Sequence, residues 1–370
     1  MANGKTRNQH YVPQFLLKGF DLKNSASPKV HIFDISKGVV RFNQSVSEVF
    51  SQNYFYDKEN EIENFLSLNI EAPASSLINE FRSNNFERLN NNNSALIKFL
   101  CCQHERTVEA RDDALRFINA HFKQIVADIA RLNEWPSADL EGIKIEPSNK
   151  DSMRSFVSTR ALSGVIDSVG MDDLRFHVLL NETERDLVIS DHPVSRYNWL
   201  YRNLKDGRVG SMLAKGVQMY LPLSPKICLC AYDPQVYKFG SRSSDVSFVT
   251  LDKDIDWLNQ LQVRNSHSFL AFSSVNMEGY IKELKDAYHG KRIYIRESLH
   301  LGQKQTLGGE IKTSHLVYTN QVRLSVRPDF FKILKKARTY EGVFQDRCPE
   351  TSEKLRMLKR KITTDKIGSA

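Results

Sequence analysis

The chain has 370 residues, of which 41% are apolar and 10% aromatic, so it can bury the core of one large domain or two ordinary ones. A mean hydropathy of −0.44 and the lack of any apolar run near the roughly 18 residues of a bilayer-spanning helix exclude such a helix. The formal net charge of +8 favours a polyanionic partner.

The N-terminal segment 8–20 reads NQHYVPQFLLKGF and predicts a rigid junction beside the core. Pro13 pushes Val12 toward an extended conformation and can begin a short helix, whose apolar side chains anchor it on the core. The residues just before it, among them His10, are then held at a fixed position. His10 is either a functional group or a hydrogen-bonded part of an N-terminal staple, and both interpretations stay open.

Beyond this junction, β-branched and aromatic residues around a Ser-Lys-Gly turn predict short strands within 28–57, including a hairpin. The spacing of apolar residues then indicates three helices, at about 61–81, 95–132 and 151–169. From residue 174 onward the pattern is again typical of strands. Two helices interrupt it, one at about 254–271 and a short basic one near the C-terminus.

Because strands and helices are segregated along the chain rather than alternating, we predict an α+β fold. A helical lobe is expected to pack with a mainly antiparallel sheet lobe. Residues 1–330 are expected to form a single compact domain, helical at about 61–170 and β-rich at about 28–57 and 174–330. Residues 331–370 are expected to form a basic helical tail.

Much of the positive charge lies in this tail, and seven of its residues are candidate nucleic-acid contacts: Lys335, Lys336, Arg338, Arg356, Lys359, Arg360 and Lys361. Such a segment binds a polyanion or is simply a solvated helix, and the composition supports both interpretations equally. We expect nucleic acid as the partner, without choosing between DNA and RNA, and no membrane.

The five cysteines show no C-x-x-C spacing and are expected to be buried free thiols rather than zinc ligands. Cys228 and Cys230 alternate within KICLCAY, so they are predicted to face the same side of a strand. The N-terminus lacks the apolar core of a signal peptide, and we therefore expect a cytoplasmic protein.

Three places in the sequence put a polar side chain on an apolar element. Gln103 and Arg106 are one helical turn apart, where a guanidinium beside an amide suits a phosphate or carboxylate; an internal salt bridge, for example from Arg106 to Glu71, is the alternative. Glu71 lies among apolar residues, eight positions after Glu63, and is a candidate acid. Asp191 ends an apolar strand in VISDHPV and binds a metal, orients a base or caps the next turn.

The chain resembles the prokaryotic family catalogued as domain of unknown function 4238 in the order of five segments: NQHYVPQFLLKGF, EIENFLSLNIEAPASSLINEF, QHERT, SDHPV and LPLSPK. The resemblance runs from Asn8 to roughly Phe272. The Q-x-x-R element of QHERT belongs to the family pattern, which favours a functional role for Gln103 and Arg106. The family name states no activity, so the resemblance implies motifs that occur together rather than a mechanism.

No Walker A, H-E-x-x-H, G-x-S-x-G or EF-hand pattern is present, which argues against a motif-defined ATPase, zinc protease or lipase-type hydrolase. We expect five residues to line one cleft as the catalytic set: His10, Glu71, Gln103, Arg106 and Asp191. One histidine, two carboxylates, an amide and an arginine suit phosphodiester hydrolysis, with Mg²⁺ or Mn²⁺ as the candidate cofactor.

The leading hypothesis is therefore a nucleic-acid-directed hydrolase, a metal-dependent nuclease acting as a prokaryotic defence effector or toxin. A nucleotide or N-glycosidic hydrolase, in which two carboxylates carry the reaction, is the alternative enzyme. A non-catalytic module that binds nucleic acid or a protein partner encoded nearby is the alternative outside catalysis.

Overall fold

A computed structural model describes residues 6–22, 27–91, 93–132, 142, 144–241, 244–305 and 311–367. Its helices are α1 (Gln14–Leu17), α2 (Glu61–Leu66), α3 (Ala72–Arg82), α4 (Asn93–Glu105), α5 (Val108–Leu132), α6 (Lys150–Asp167), α7 (Asp252–Asn265), α8 (Glu278–Tyr288) and α9 (Pro349–Ile367). A π-helical turn, Ser67–Glu71, joins α2 to α3. A 3₁₀ turn, Lys335–Tyr340, follows the last strand.

The strands are β1 (Asn8–His10), β2 (Lys29–Asp34), β3 (Val39–Ser45), β4 (Ser51–Asn53), β5 (Arg175–Asn181), β6 (Ile189–Ser190), β7 (Ser195–Tyr197), β8 (Gln218–Ser224), β9 (Ile227–Tyr232), β10 (Tyr237–Phe239), β11 (Val246–Val249), β12 (Phe269–Phe272), β13 (Tyr294–Gln305), β14 (Ile311–Gln321) and β15 (Phe331–Ile333). The short strands predicted within 28–57, including the hairpin, correspond to β2, β3 and β4.

Two main sheets organise these strands. One has five strands in the order β11-β5-β9-β8-β7, antiparallel except for the parallel pair β11–β5. The other has four antiparallel strands in the order β3-β2-β12-β6. Smaller pairs are β1–β4, β10–β15 and β13–β14. Long helices and mainly antiparallel sheets occupy separate stretches of the chain, which confirms the predicted α+β class.

The inner strands β8 and β9 of the five-stranded sheet are buried on both faces. Leu221 and Leu229 face one core, which the N-terminal helix, α3 and α4 complete. Tyr220 and the two cysteines of β9 face a second core with α7. Cys228 and Cys230 therefore share one face, as their alternation predicted, and both are buried free thiols.

The helix predicted at 95–132 is two helices, so the prediction of a continuous one is wrong. Helix α4 ends at Glu105, and α5 begins at Val108. The Oγ1 atom of Thr107 accepts a hydrogen bond from the Ala110 N–H (3.3 Å), as an N-cap residue does. Helical periodicity continues across this break, which is why the apolar spacing did not reveal it.

The helix predicted at about 254–271 is too long. Helix α7 ends at Asn265, and Phe269–Phe272 form β12, which pairs with β2 on one side and β6 on the other. A run of four apolar residues has no periodicity that separates strand from helix. Phe269–Phe272 form a strand because they hydrogen-bond on both edges to strands that lie far away in the chain.

Helix α6 confirms the predicted helix at 151–169 and explains its glycine. Asn149 caps α6, because its Oδ1 accepts a hydrogen bond from the Ser152 N–H (2.9 Å). A Cβ atom at Gly164 would lie 2.5 Å from the backbone oxygen of Cys101. The missing side chain therefore allows α6 to cross closely over α4.

The C-terminal segment is attached to the rest of the fold through both strand pairing and a buried arginine. Strand β15 pairs with β10. The Arg347 side chain is 1% exposed and donates hydrogen bonds to Asp173 (2.7 Å) and to the backbone oxygen of Gly170 (2.6 Å). Across the described ranges, no helix has both the length and the apolar character needed to cross a bilayer.

Candidate functional site

The predicted residues Gln103 and Arg106 belong to a buried hydrogen-bonded chain. The Arg106 Nη1 atom donates to Glu71 Oε1 (2.7 Å), and Arg106 Nε donates to Gln103 Oε1 (2.7 Å). Gln103 Nε2 in turn donates to the backbone oxygen of Tyr11 (2.9 Å). The Arg106 side chain is fully buried, and its pair with Glu71 is the internal salt bridge named above as the alternative.

His10 lies beside this chain. The Tyr56 hydroxyl donates to the backbone oxygen of His10 (3.3 Å), and the His10 Nε2 atom lies 3.3 Å from the backbone oxygen of Val46. Burial lowers the pKa of His10, against the opposing effect of Glu71. We call His10, Tyr56, Glu71, Gln103 and Arg106 the junction cluster.

Glu63 adds a second carboxyl group to the junction cluster. Burial, together with the nearby charge of Glu71, raises the pKa of Glu63 to about 7. The Nη2 atom of Arg106 is buried and has no hydrogen-bond partner among the described residues. The cluster is therefore a strongly electrostatic part of the core, in which one guanidinium balances neighbouring acids.

Asp191, the fifth predicted residue, has different partners. Its carboxylate accepts backbone hydrogen bonds from His267 (2.8 Å), Ser268 (2.8 Å) and Phe269 (3.0 Å), and the residue is 1% exposed. These contacts hold the distant loop between α7 and β12 rather than the turn that follows Asp191, which the capping alternative had named. A catalytic role for Asp191 stays a prediction.

The structure thus brings four of the five predicted catalytic residues together and places the fifth in another environment. The two places are connected through neighbouring residues, because Thr107 Oγ1 lies 2.6 Å from Nδ1 of His192. Arg106 precedes Thr107 and points to Glu71, whereas Asp191 precedes His192 and holds the α7–β12 loop.

A cleft of about 540 Å³ opens on the other side of the QHERT segment. We call it the arginine cleft, because seven arginines line it: Arg160, Arg196, Arg208, Arg264, Arg292, Arg296 and Arg356. His104 and His192 also line it, with their rings 4.8 Å apart. Alternate faces of QHERT therefore contribute to the junction cluster and to this cleft.

The hydrogen bonds of His104 determine its protonation. The Nε2 atom accepts from Arg196 Nε (3.0 Å), and Nδ1 lies 3.1 Å from the backbone oxygen of Val194. A guanidinium only donates, so Nε2 carries no hydrogen and the ring is neutral. Burial and the charge of Arg196 lower the pKa of His104 well below its ordinary value.

His192 is also held neutral. Burial lowers its pKa well below the ordinary value, and the charges of Arg292 and Arg196 act in the same direction. Its Nδ1 atom contacts Thr107. No described residue forms a hydrogen bond with Nε2, so this ring nitrogen is available within the cleft.

The cleft keeps a positive charge after its acids are counted. Its four carboxylates belong to Glu105, Glu109, Asp113 and Asp346, so the lining holds three more arginines than carboxylates. Asp206, outside the lining, pairs with Arg208 (2.7 Å). The Oε1 atom of Glu109 forms ion pairs with both Arg116 (2.7 Å) and Arg292 (2.6 Å). A concave site of this charge attracts anions.

The described residues do not fit a resident divalent metal. Within the described ranges, no three histidine, cysteine, aspartate or glutamate side chains are grouped closely enough to hold a metal ion. The surplus of guanidinium groups in the cleft also repels cations. The described residues therefore provide no such three-ligand protein site, and a role for Mg²⁺ or Mn²⁺ stays a prediction.

The basic residues of the C-terminal segment divide into two groups. Three are exposed on the 3₁₀ turn: Lys335, Lys336 and Arg338. Four lie on α9: Arg356, Lys359, Arg360 and Lys361. Arg356 pairs with Asp346 (2.6 Å) where both line the arginine cleft, and Lys359 pairs with Asp167 (2.5 Å). Their binding of nucleic acid stays a prediction.

Sequence reasoning missed the arginine cleft. Its arginines come from segments between residues 160 and 356, so no local pattern groups them. The available signal was that QHERT and SDHPV each contain a histidine beside a residue that was selected. His104 and His192 line the cleft, whereas the selected residues beside them, Gln103 and Asp191, are not among its lining residues.

A family model described as protein of unknown function (DUF4238) matches residues 8–276, well over half of the chain. The chain belongs to this family. The DUF4238 match contains the junction cluster, both histidines of the cleft and Arg196, whereas Arg292 and Arg356 lie beyond it. Neither a curated protein nor a solved structure matches the chain.

Proposed function

We propose that the chain is a nucleic-acid-directed hydrolase that holds a phosphate of its substrate in the arginine cleft. The observation that carries this proposal is the group of seven arginines around two neutral histidines in one cleft of about 540 Å³. Guanidinium groups bind phosphate through paired, charge-assisted hydrogen bonds and stay charged at all relevant pH values.

Within this proposal His192 performs the acid–base chemistry. A hydrogen on Nδ1, donated to Thr107 Oγ1, leaves the Nε2 lone pair free to accept a proton. Because its pKa is lowered, the imidazole is neutral at pH 7 and can act as a base. Nε2 takes a proton from water, and the hydroxide attacks phosphorus. The bond to the leaving sugar oxygen breaks, and His192 returns the proton to that oxygen.

The arginines then stabilise the charge that develops on the phosphoryl oxygens during the attack. The net charge of +8 and the basic residues on α9 favour a nucleic acid over a small anion. Cleavage of cellular nucleic acid would be toxic to the cell, and a defence-effector or toxin role would follow from it.

The test uses labelled single-stranded DNA, RNA and plasmid at pH 7, with chelator and with added Mg²⁺ or Mn²⁺. We expect cleavage by the wild type and by Arg88→Ala, a control that removes an exposed arginine paired with Glu80. His192→Asn, which can keep a hydrogen bond to Thr107, should bind the strand but cleave at most about a hundredth as fast. Intact substrates in every lane with folded wild-type protein would contradict the proposal.

A non-catalytic binding module is the second candidate. The hydrogen bonds of His104 to Val194 and Arg196 favour this candidate, as do those of Arg106 to Gln103 and Glu71. Polar groups that are hydrogen-bonded within the protein can stabilise the fold without taking part in catalysis. Binding of strands without any cleavage would select this module. Release of a free base without strand cleavage would select an N-glycosidic hydrolase instead.

A further inference from the structure

A second group of arginines lies outside the arginine cleft. Arg202, Arg323, Arg327 and Arg338 line a cleft of about 490 Å³, together with Trp199 and a single carboxylate. The structure assigns this place, the second basic cleft, as a further phosphate-binding site. This assignment rests on the function proposed above, because the second basic cleft binds another phosphate of the same nucleic acid.

The charges of the second basic cleft are available to a ligand. None of Arg323, Arg327 and Arg338 has a carboxylate within ion-pair distance in the described part of the chain, and all three are exposed. Asp329, the acid nearest in sequence to Arg327, instead pairs with Lys253 (2.7 Å). The fold therefore concentrates four guanidinium groups here, with Glu341 as the one carboxylate in the lining.

Trp199 gives this cleft an aromatic wall. The guanidinium of Arg202 lies over its ring, 4.9 Å from the ring centre, and also donates to the Trp199 backbone oxygen (3.2 Å). This arrangement holds Arg202 in place by a cation–π contact. A guanidinium that is already positioned loses less conformational freedom when it binds a phosphate.

Two chain segments connect the two clefts. Thr319 of β14 lines the arginine cleft, and Arg323 lines the second basic cleft four residues later. Arg196 of β7 lines the first cleft, and Trp199 lines the second. Gln321 ties these segments together, because its side chain bonds to the backbone N–H (2.7 Å) and oxygen (2.9 Å) of Asn198.

The spacing of the clefts indicates the size of the ligand. Residues 319–323 span at most about 13 Å, the length of four residues of fully extended chain. One strand of a nucleic acid advances about 3.4 Å per phosphate in duplex geometry, so this distance spans at most roughly four nucleotides, and fewer in a stretched single strand. We infer that the ligand is a polynucleotide strand that contacts both clefts, rather than a mononucleotide that fills one of them.

The experiment measures binding of a mononucleotide and of single-stranded oligonucleotides of two, four, eight and twelve nucleotides by fluorescence anisotropy. We expect the wild-type affinity to rise most steeply up to about four to eight nucleotides. Arg323→Ala/Arg338→Ala should weaken twelve-nucleotide binding about tenfold and reduce the log–log salt slope by about 1.4, the value for two phosphate contacts on a single strand. Mononucleotide binding should not change.

Arg88→Ala serves as the matched control and should bind every ligand like the wild type. An unchanged affinity and salt slope for the double variant overturns the second site. So does a wild type that binds a mononucleotide as tightly as the twelve-nucleotide strand. If the wild type and the double variant bind the twelve-nucleotide strand equally well, only the second site is overturned and the proposed function stays intact. A wild type that binds no nucleic acid overturns both.

Discussion

Neighbouring residues of the QHERT segment have different tasks because a helix end turns them to different sides. Gln103 and Arg106 hold the N-terminal junction, whereas His104 lines the arginine cleft and Thr107 contacts His192. At this scale the sequence drew attention to the QHERT segment but not to His104, its side chain that lines the cleft. Adjacent polar residues carry equal weight in a motif, and only the packing shows which of them faces a cavity.

Replacement of Arg106 distinguishes a structural role of its side chain from a catalytic one. Arg106→Ala removes the partner of Glu71 and of Gln103 in a buried position, so we expect the free energy of unfolding to fall by about 3–5 kcal/mol. Urea unfolding of wild type and variant measures this. A variant of unchanged stability that has lost activity would instead support the catalytic role predicted from the sequence.

Glu63 should make stability depend on pH. Its pKa is raised to about 7 in the folded chain, chiefly by burial, so the folded state binds more protons than the unfolded state between about pH 4.5 and 7. Stability is therefore greatest below this window and declines as pH rises through it. Glu63→Gln should flatten the decline in urea unfolding midpoints. An identical pH profile for wild type and variant would contradict this assignment.

Elements whose residue pattern is local were predicted well. Elements that depend on contacts with residues far away in the chain were predicted poorly. The α6 helix and the β2–β3 hairpin follow from local pattern. The break at Thr107 does not, since it depends on a cap within a continuing apolar stripe. Strand β12 also escaped prediction, because its partners β2 and β6 lie far away in the chain.

Gly164 tests the close crossing of α6 over α4. Alanine has the higher helix propensity by about 1 kcal/mol, but its Cβ would lie 2.5 Å from the Cys101 backbone oxygen. Overpacking against backbone costs about 1–3 kcal/mol or more, so we expect Gly164→Ala to lower stability overall. Thermal unfolding checks this, with Ala161→Gly as a variant of opposite size change on the same helix. A stabilised Gly164→Ala protein would show that the helices can separate.

At the scale of the whole molecule, three of the family segments meet at one place. NQHYVPQFLLKGF, QHERT and SDHPV are joined by the contacts of Gln103 with Tyr11 and of Thr107 with His192. The sequence predicted that five side chains, four of them from these segments, line one cleft, whereas Asp191 has separate partners. It could not predict the arginine cleft, whose charge arises from side chains brought together by the complete fold.

The central claim is that the arginine cleft binds nucleic-acid phosphates, and a salt titration of binding tests it most directly. Arg208 and Arg296 are suitable for removal, with side chains 66% and 32% exposed. For a single-stranded oligonucleotide of twelve nucleotides, Arg208→Ala/Arg296→Ala should bind more weakly than wild type. The log–log slope against salt should be smaller by about 1.4, because two phosphate contacts are lost. Slopes that are equal for wild type, this double variant and Arg88→Ala would contradict the claim.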